Sequence, residues 1–111
     1  MNDHTIDRWL TDSARSYPDR VAIDDRGVVT TYAGLERRVV RLAERLDRGG
    51  YRAGDRIATV TGSSTDHVVW FFACARLGIA LVPLSWRSAG AELAYALTVA
   101  DPMLVVIEDA C

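Results

Sequence analysis

The chain has 111 residues, half of them hydrophobic, which is enough for one domain with a modest core and excludes a wholly disordered protein. Its formal net charge of −2 argues against a nucleic-acid-binding surface, and every basic residue is an arginine. No signal peptide is recognisable, and no apolar run reaches the roughly 18 residues that a membrane span needs, so the expected location is the cytoplasm.

The first third of the chain predicts a helix followed by a hairpin. Residues 5–16 place apolar side chains at helical spacing, with Thr5 as the N-cap and Pro18 as a stop. Two short β-prone runs, 21–23 and 28–31, flank a turn-rich tetrapeptide. We therefore expect a small hairpin that lies apart from any parallel sheet.

An amphipathic helix comes next and ends at Gly49-Gly50. Its apolar positions are Leu35, Val39, Leu42 and Leu46. Beyond it, the predicted elements alternate as strand 57–60, helix 64–77, strand 79–82, helix 89–99 and strand 103–107. This β-α-β-α-β order predicts a three-layer α/β fold, in which a parallel sheet carries helices on both faces.

The middle helix of that unit is apolar around its whole circumference, from Val68 to Ala75. Such a helix must be covered on all sides, and a short chain has little left to cover it. We therefore expect a partner chain, a second copy or the remainder of a larger fold to cover Trp70, Phe71 and Phe72.

The two cysteines indicate neither a disulfide framework nor a metal cluster. Cys74 lies inside the apolar helix and is interpreted as a small buried hydrophobic residue, whereas Cys111 ends the chain. His67 has no second ligand at metal-binding spacing and is expected to pack or cap, and His4 lies near the N-terminus.

The segment Thr61–Thr65 joins a strand to a helix, where backbone N–H groups can hold a phosphate. Neither G-x-x-x-x-G-K-[ST] nor G-x-G-x-x-G occurs, and the chain has no lysine. We favour a capping box, with Ser63 as the N-cap and Asp66 three residues on.

Two charged groups have a functional and a structural interpretation. Asp24-Asp25 resembles the acidic pair of a phosphoacceptor receiver domain, but no central strand ends in an acceptor aspartate, so a turn is favoured. One face of the second helix carries Arg37, Arg41, Arg45 and Arg48, together with Glu44. These arginines could contact an anion such as a coenzyme phosphate, but a solvated outer face is favoured.

Five stretches in sequence resemble the N-terminal segment of the adenylate-forming (AMP-dependent synthetase/ligase) superfamily. They read YPDRVAI, TYAGLERRVVRLAERL, GDRIATV, FFACARLGIALVPLSWR and AELAYAL, and together they cover nearly the whole chain. The likeness is greatest to the fatty-acyl and aryl coenzyme A synthetases. Departures occur at helix starts, where Gly34 replaces a glutamate, Ser85 an asparagine and Ala89-Gly90 a Thr-Pro pair.

The resemblance implies an enzyme that uses ATP and magnesium to convert a carboxylic acid to an acyl-adenylate and then to acyl-CoA. The family's Ser/Thr/Gly-rich loop ending in lysine, its nucleotide contacts and its C-terminal lysine all fall beyond residue 111. No catalytic, cofactor-binding or metal-binding residue is therefore assigned in this segment, which is expected to be the incomplete first lobe of a larger fold.

Three hypotheses follow. The first is that residues 1–111 form a single partial domain of an acyl-CoA synthetase, truncated or split, that is not catalytic by itself and belongs to fatty acid metabolism. The second is a stand-alone interaction or dimerisation module derived from that fold. The third is a small nucleotide-binding or receiver-like switch. The final strand favours the first hypothesis, because it would leave an open sheet edge at the chain's end.

Overall fold

The computed structural model describes residues 3–60, 64–84, 98 and 104–107. Within these ranges, a small antiparallel hairpin and a three-stranded parallel sheet pack with three helices. The helices are α1 Asp3–Ser16, α2 Tyr32–Arg48 and α3 Ser64–Leu77. The strands are β1 Val21–Asp25, β2 Val28–Thr31, β3 Arg56–Val60, β4 Ala80–Leu84 and β5 Leu104–Ile107. The predicted α/β class is confirmed.

The parallel sheet has the order β4-β3-β5, so the first strand of the unit lies in the middle. Ile57 of β3 pairs with Leu81 on one side and Leu104 on the other. The four residues from Ile57 to Val60 are all buried, as expected for a central strand of a parallel sheet. The predicted helix 89–99 lies outside the described residues except for residue 98, which is helical, and Ser85 lies outside them as well.

Strand β4 begins and ends later than the predicted range 79–82. The backbone N–H of Ile79 donates to the carbonyl of Cys74 at 2.9 Å, so this residue closes α3 instead of opening the strand. At the other end, β4 continues through Pro83, which pairs with Thr59. A proline fits here because β4 lies at the edge of the described sheet, where its missing N–H is not needed by a further strand.

The predicted hairpin is confirmed and stands apart from the parallel sheet. Strand β1 extends two residues further than predicted, to Asp25, so that only Arg26 and Gly27 form the turn. Both turn residues have positive φ (57° and 88°). This two-residue geometry matches the twist of the flanking strands.

Helix α1 begins at Asp3, so the prediction that Thr5 caps it is wrong. Ile6, in the first turns of the helix, packs against the core. Leu10, which is completely buried, fixes the helix against the rest of the molecule.

Helix α2 follows its predicted pattern. Leu35, Val39 and Leu46 are buried, Ala43 joins them, and Leu42 is only partly buried. The hydroxyl of Thr31 accepts a hydrogen bond from the N–H of Gly34 at 3.1 Å, which satisfies one of the unpaired donors of the first turn.

Helix α3 is covered by this chain more fully than the sequence suggested. Helices α1 and α2 and strand β4 all pack on it. Phe72 is buried, and the ring of Trp9 in α1 stacks on it at a centroid distance of 6.3 Å. The expectation that Phe72 needs an external cover is therefore wrong, whereas Phe71 remains 40% exposed. No described helix is both long and apolar enough to cross a membrane.

Candidate functional site

Two buried hydroxyls lie near the carboxyl end of β3, where ligands bind in many parallel α/β folds. Thr59 is 1% exposed and Thr65 is 6% exposed, and neither hydroxyl has a hydrogen-bond partner among the described residues. Residues 61–63, including the predicted N-cap Ser63, lie outside those residues.

An ion pair joins α2 to the first turn of α3. The carboxylate of Asp66 accepts a hydrogen bond from Nη2 of Arg38 at 2.7 Å, with both side chains partly exposed. The sequence pattern did not reveal this pair, because it joins residues far apart in the chain. It bridges the two helices beside the basic face of α2.

The basic face of α2 is exposed as expected, and the structure divides its arginines into two groups. Arg41 and Arg45 line a surface cavity of about 310 Å³ together with Arg38. The remaining lining comes from Leu42, Asp66, Val69 and Trp70. Arg37 and Arg48, which shared the predicted face, do not line this cavity. We call it the α2–α3 cavity.

A second depression, of about 370 Å³, lies between α3 and β4. His67 is placed here beside Phe71, Cys74 and Pro83, in mainly apolar surroundings. Burial raises the pKa of the Cys74 thiol from 9.0 to about 11, so the thiol is neutral at physiological pH and is poorly suited to act as a nucleophile. This agrees with the interpretation of Cys74 as a buried hydrophobic residue.

Arg76 was not singled out from the sequence, yet it contacts two other helices. Its guanidinium donates to Glu36 Oε1 of α2 at 2.8 Å, to Thr11 Oγ1 of α1 at 3.3 Å, and to the carboxylate of Asp7. Burial disfavours its charge, but the hydrogen bonds and charges of Glu36 and Asp7 outweigh that effect and raise the pKa of Arg76. The one cue in the sequence is an arginine in the last turn of α3, directly after an apolar run.

The acidic pair Asp24-Asp25 lies in the hairpin, away from the parallel sheet. The carboxylate of Asp24 accepts a hydrogen bond from the N–H of Gly27 at 3.0 Å, which stabilises the turn. This contact supports the turn interpretation over a phosphoacceptor site.

Neither a set of magnesium ligands nor a phosphate-binding lysine is found among the residues that the structure describes. Within the ranges that the structure describes, no three His, Cys, Asp or Glu side chains are grouped closely enough to hold a metal ion. The chain also has no lysine to contact a transferred phosphate. No chemical step is therefore assigned to these residues.

A family model and several curated proteins match most of this chain. The family model described as "AMP-binding enzyme" matches residues 10–111. Feruloyl-CoA synthase from Amycolatopsis sp is 37% identical over 97 residues, which is 87% of this chain and 20% of that protein. The medium-chain fatty-acid–CoA ligase of Escherichia coli is 36% identical over 98 residues, which is 86% of this chain and 17% of that protein.

Solved structures agree with these matches. The crystal structure of VinN has a TM-score of 0.88 and 29% identity, covering 94% of this chain and 28% of that one. A putative long-chain-fatty-acid CoA ligase from Rhodopseudomonas palustris has a TM-score of 0.85 and 30% identity, covering 92% of this chain and 26% of that one.

The chain therefore spans about a fifth of the length of the curated relatives it matches. Both the sequence relatives and the structural neighbours include CoA ligases. The chain belongs to the AMP-binding enzymes of the adenylate-forming superfamily and corresponds to their N-terminal segment.

Proposed function

We propose that this chain is the N-terminal part of an ATP-dependent acid–thiol ligase that forms acyl-CoA from a carboxylic acid, and that residues 1–111 are a single partial domain without catalytic activity of their own. The observation that carries the proposal is the family match across residues 10–111, with acyl-CoA and aryl-CoA ligases among the relatives.

The role of the segment in that enzyme would be structural. Its parallel sheet and helices provide a scaffold, while the nucleotide, magnesium and coenzyme A would be held by residues outside the described ones. The lack of lysine supports this division, because no residue here can supply an ε-ammonium group to a phosphate.

The substrate class and location belong to the same proposal. The relatives include a medium-chain fatty-acid–CoA ligase and a feruloyl-CoA synthase, so we propose fatty or aryl carboxylic acids as substrates and a cytoplasmic role in fatty acid metabolism. Cell fractionation tests the location, and a panel of fatty and aromatic acids tests the substrate class.

A stand-alone interaction or dimerisation module is the second candidate. Phe71 favours it, because this large apolar side chain is 40% exposed and borders the apolar depression between α3 and β4. Under this alternative, Phe71→Ser converts a dimer to a monomer. Val28→Ser is the matched control, since Val28 is also exposed but lies on the hairpin.

The deciding experiment is the intact mass of the protein made from its natural reading frame in its own cells, followed by ATP–pyrophosphate exchange with the acid panel. A mass several times 12.2 kDa and acid-dependent exchange support the ligase. A mass of 12.2 kDa, a stable dimer and no exchange contradict it and favour the interaction module.

A further inference from the structure

The α2–α3 cavity combines two features that solvated helix faces rarely bring together. Arg41 and Arg45 lie one helical turn apart, at i and i+4, so their guanidinium groups project from the same side of α2. Beside them, α3 contributes the buried side chain of Val69 and the partly buried ring of Trp70. The cavity therefore has a cationic wall and an apolar floor.

The charges of the cavity are unbalanced. Among the described residues, its lining holds three guanidinium groups and a single carboxylate, that of Asp66. Asp66 already binds Arg38 at 2.7 Å. Arg41 and Arg45 have no acidic partner in the part of the chain that the structure describes. Two adjacent guanidiniums with open donors form a suitable arrangement for one bidentate oxyanion.

The Arg38–Asp66 pair also links the two helices that line the cavity. It joins α2 to the start of α3, one turn before Trp70. The ring and the two guanidiniums are therefore carried by helices. The main ordering cost of binding is then the side-chain freedom of the two exposed arginines.

We propose that the α2–α3 cavity is a binding site for a small organic anion whose carboxylate or phosphate contacts Arg41 and Arg45 and whose aromatic ring packs on Trp70. A volume of about 310 Å³ is at the small end of ligand sites and suits a single ring with one charged group. A fully apolar molecule would leave the guanidiniums unpaired, and an inorganic anion would have no ring to pack on Trp70.

The test uses the full protein from its natural reading frame, labelled with 5-fluorotryptophan, and follows the Trp70 fluorine signal by NMR. Trp70→Phe assigns that signal. The probes are phenyl phosphate, benzoate, inorganic phosphate and phenol. Phenyl phosphate and benzoate distinguish a phosphate ligand from a carboxylate ligand, and the other two carry only the anion or only the ring.

We expect a saturable shift of the Trp70 signal with phenyl phosphate or benzoate, and weaker binding of the inorganic phosphate and phenol probes. The double substitution Arg41→Gln/Arg45→Gln should weaken that binding by about tenfold or more, because it removes two charged donors. The matched control is Arg37→Gln/Arg48→Gln, which removes the same charge from the same helix but outside the cavity lining. The control should leave the affinity within about twofold, because neither of its side chains lines the cavity and their exposed charges are screened by salt.

Three results would overturn the proposal. One is the absence of a saturable shift with either aromatic anion. Another is an equal loss of affinity in both double variants, which would indicate diffuse attraction to a basic helix. The third is equal binding of inorganic phosphate and phenyl phosphate, which would show that Trp70 contributes nothing. All four arginines are exposed, so both double variants should keep the fold, and the dispersion of the other fluorine signals verifies this.

Discussion

Replacing Arg76 with methionine tests whether its ionic contacts hold the three helices together. Arg76 is 19% exposed, and its partners Asp7 and Glu36 are 20% and 21% exposed, so the charges are largely but not fully withdrawn from water. Methionine keeps most of the apolar stem but leaves two partly buried carboxylates without a cation. Breaking a fully buried pair costs about 3–5 kcal/mol, and partial exposure reduces this to about 2–3 kcal/mol.

Such a loss would lower the melting temperature of a domain of this size by roughly 8–15 °C. The assay is urea and thermal unfolding followed by circular dichroism. Adding Asp7→Asn and Glu36→Gln to Arg76→Met should restore most of the lost free energy, because the carboxylates that were left unpaired are then neutral. A change below about 0.5 kcal/mol for Arg76→Met alone would refute the reasoning, since it is the size of an ordinary surface substitution.

Three further predictions concern single positions. Arg26→Asn should raise the free energy of unfolding by about 0.5–1 kcal/mol in a urea titration, because asparagine adopts the positive φ of 57° more readily; a destabilised variant would contradict this. Thr59→Val should be neutral or stabilising by up to about 1 kcal/mol, because it removes a buried hydroxyl without a described partner, and a clear loss of stability would mean that this hydroxyl is bonded. The free energy of unfolding should fall as pH rises from 9.0 towards about 11, because the unfolded Cys74 thiol ionises first; Cys74→Ala should show a smaller decline, and an identical one would contradict the burial argument.

The local elements of this fold were largely predictable, because each depends on neighbouring residues. The spacing of Leu35, Val39 and Leu46 gave the buried face of α2, and the pair of β-prone runs gave the hairpin. Boundaries were less accurate. Strand β4 continues through Pro83 because of its place at the edge of the described sheet, and α1 begins two residues before Thr5.

The candidate sites likewise include features that the sequence predicts and features that depend on tertiary contacts. The arginine face of α2 was recognisable from helical spacing alone. Its division into cavity-lining and outlying arginines was not, because the division depends on where α3 places Trp70. The contacts of Arg76 with Asp7 and Glu36 were equally hidden, since they join residues separated by 69 and 40 positions.

The sequence by itself determined the order of helices and strands, the parallel sheet and the family, because hydrophobic periodicity and motif order are properties of local sequence. Only the tertiary structure decided how α3 is covered, which charges meet and where cavities form. An apolar helix such as α3 has no preferred face of its own. Its neighbours must therefore determine that Phe72 is buried against Trp9 while Phe71 remains exposed.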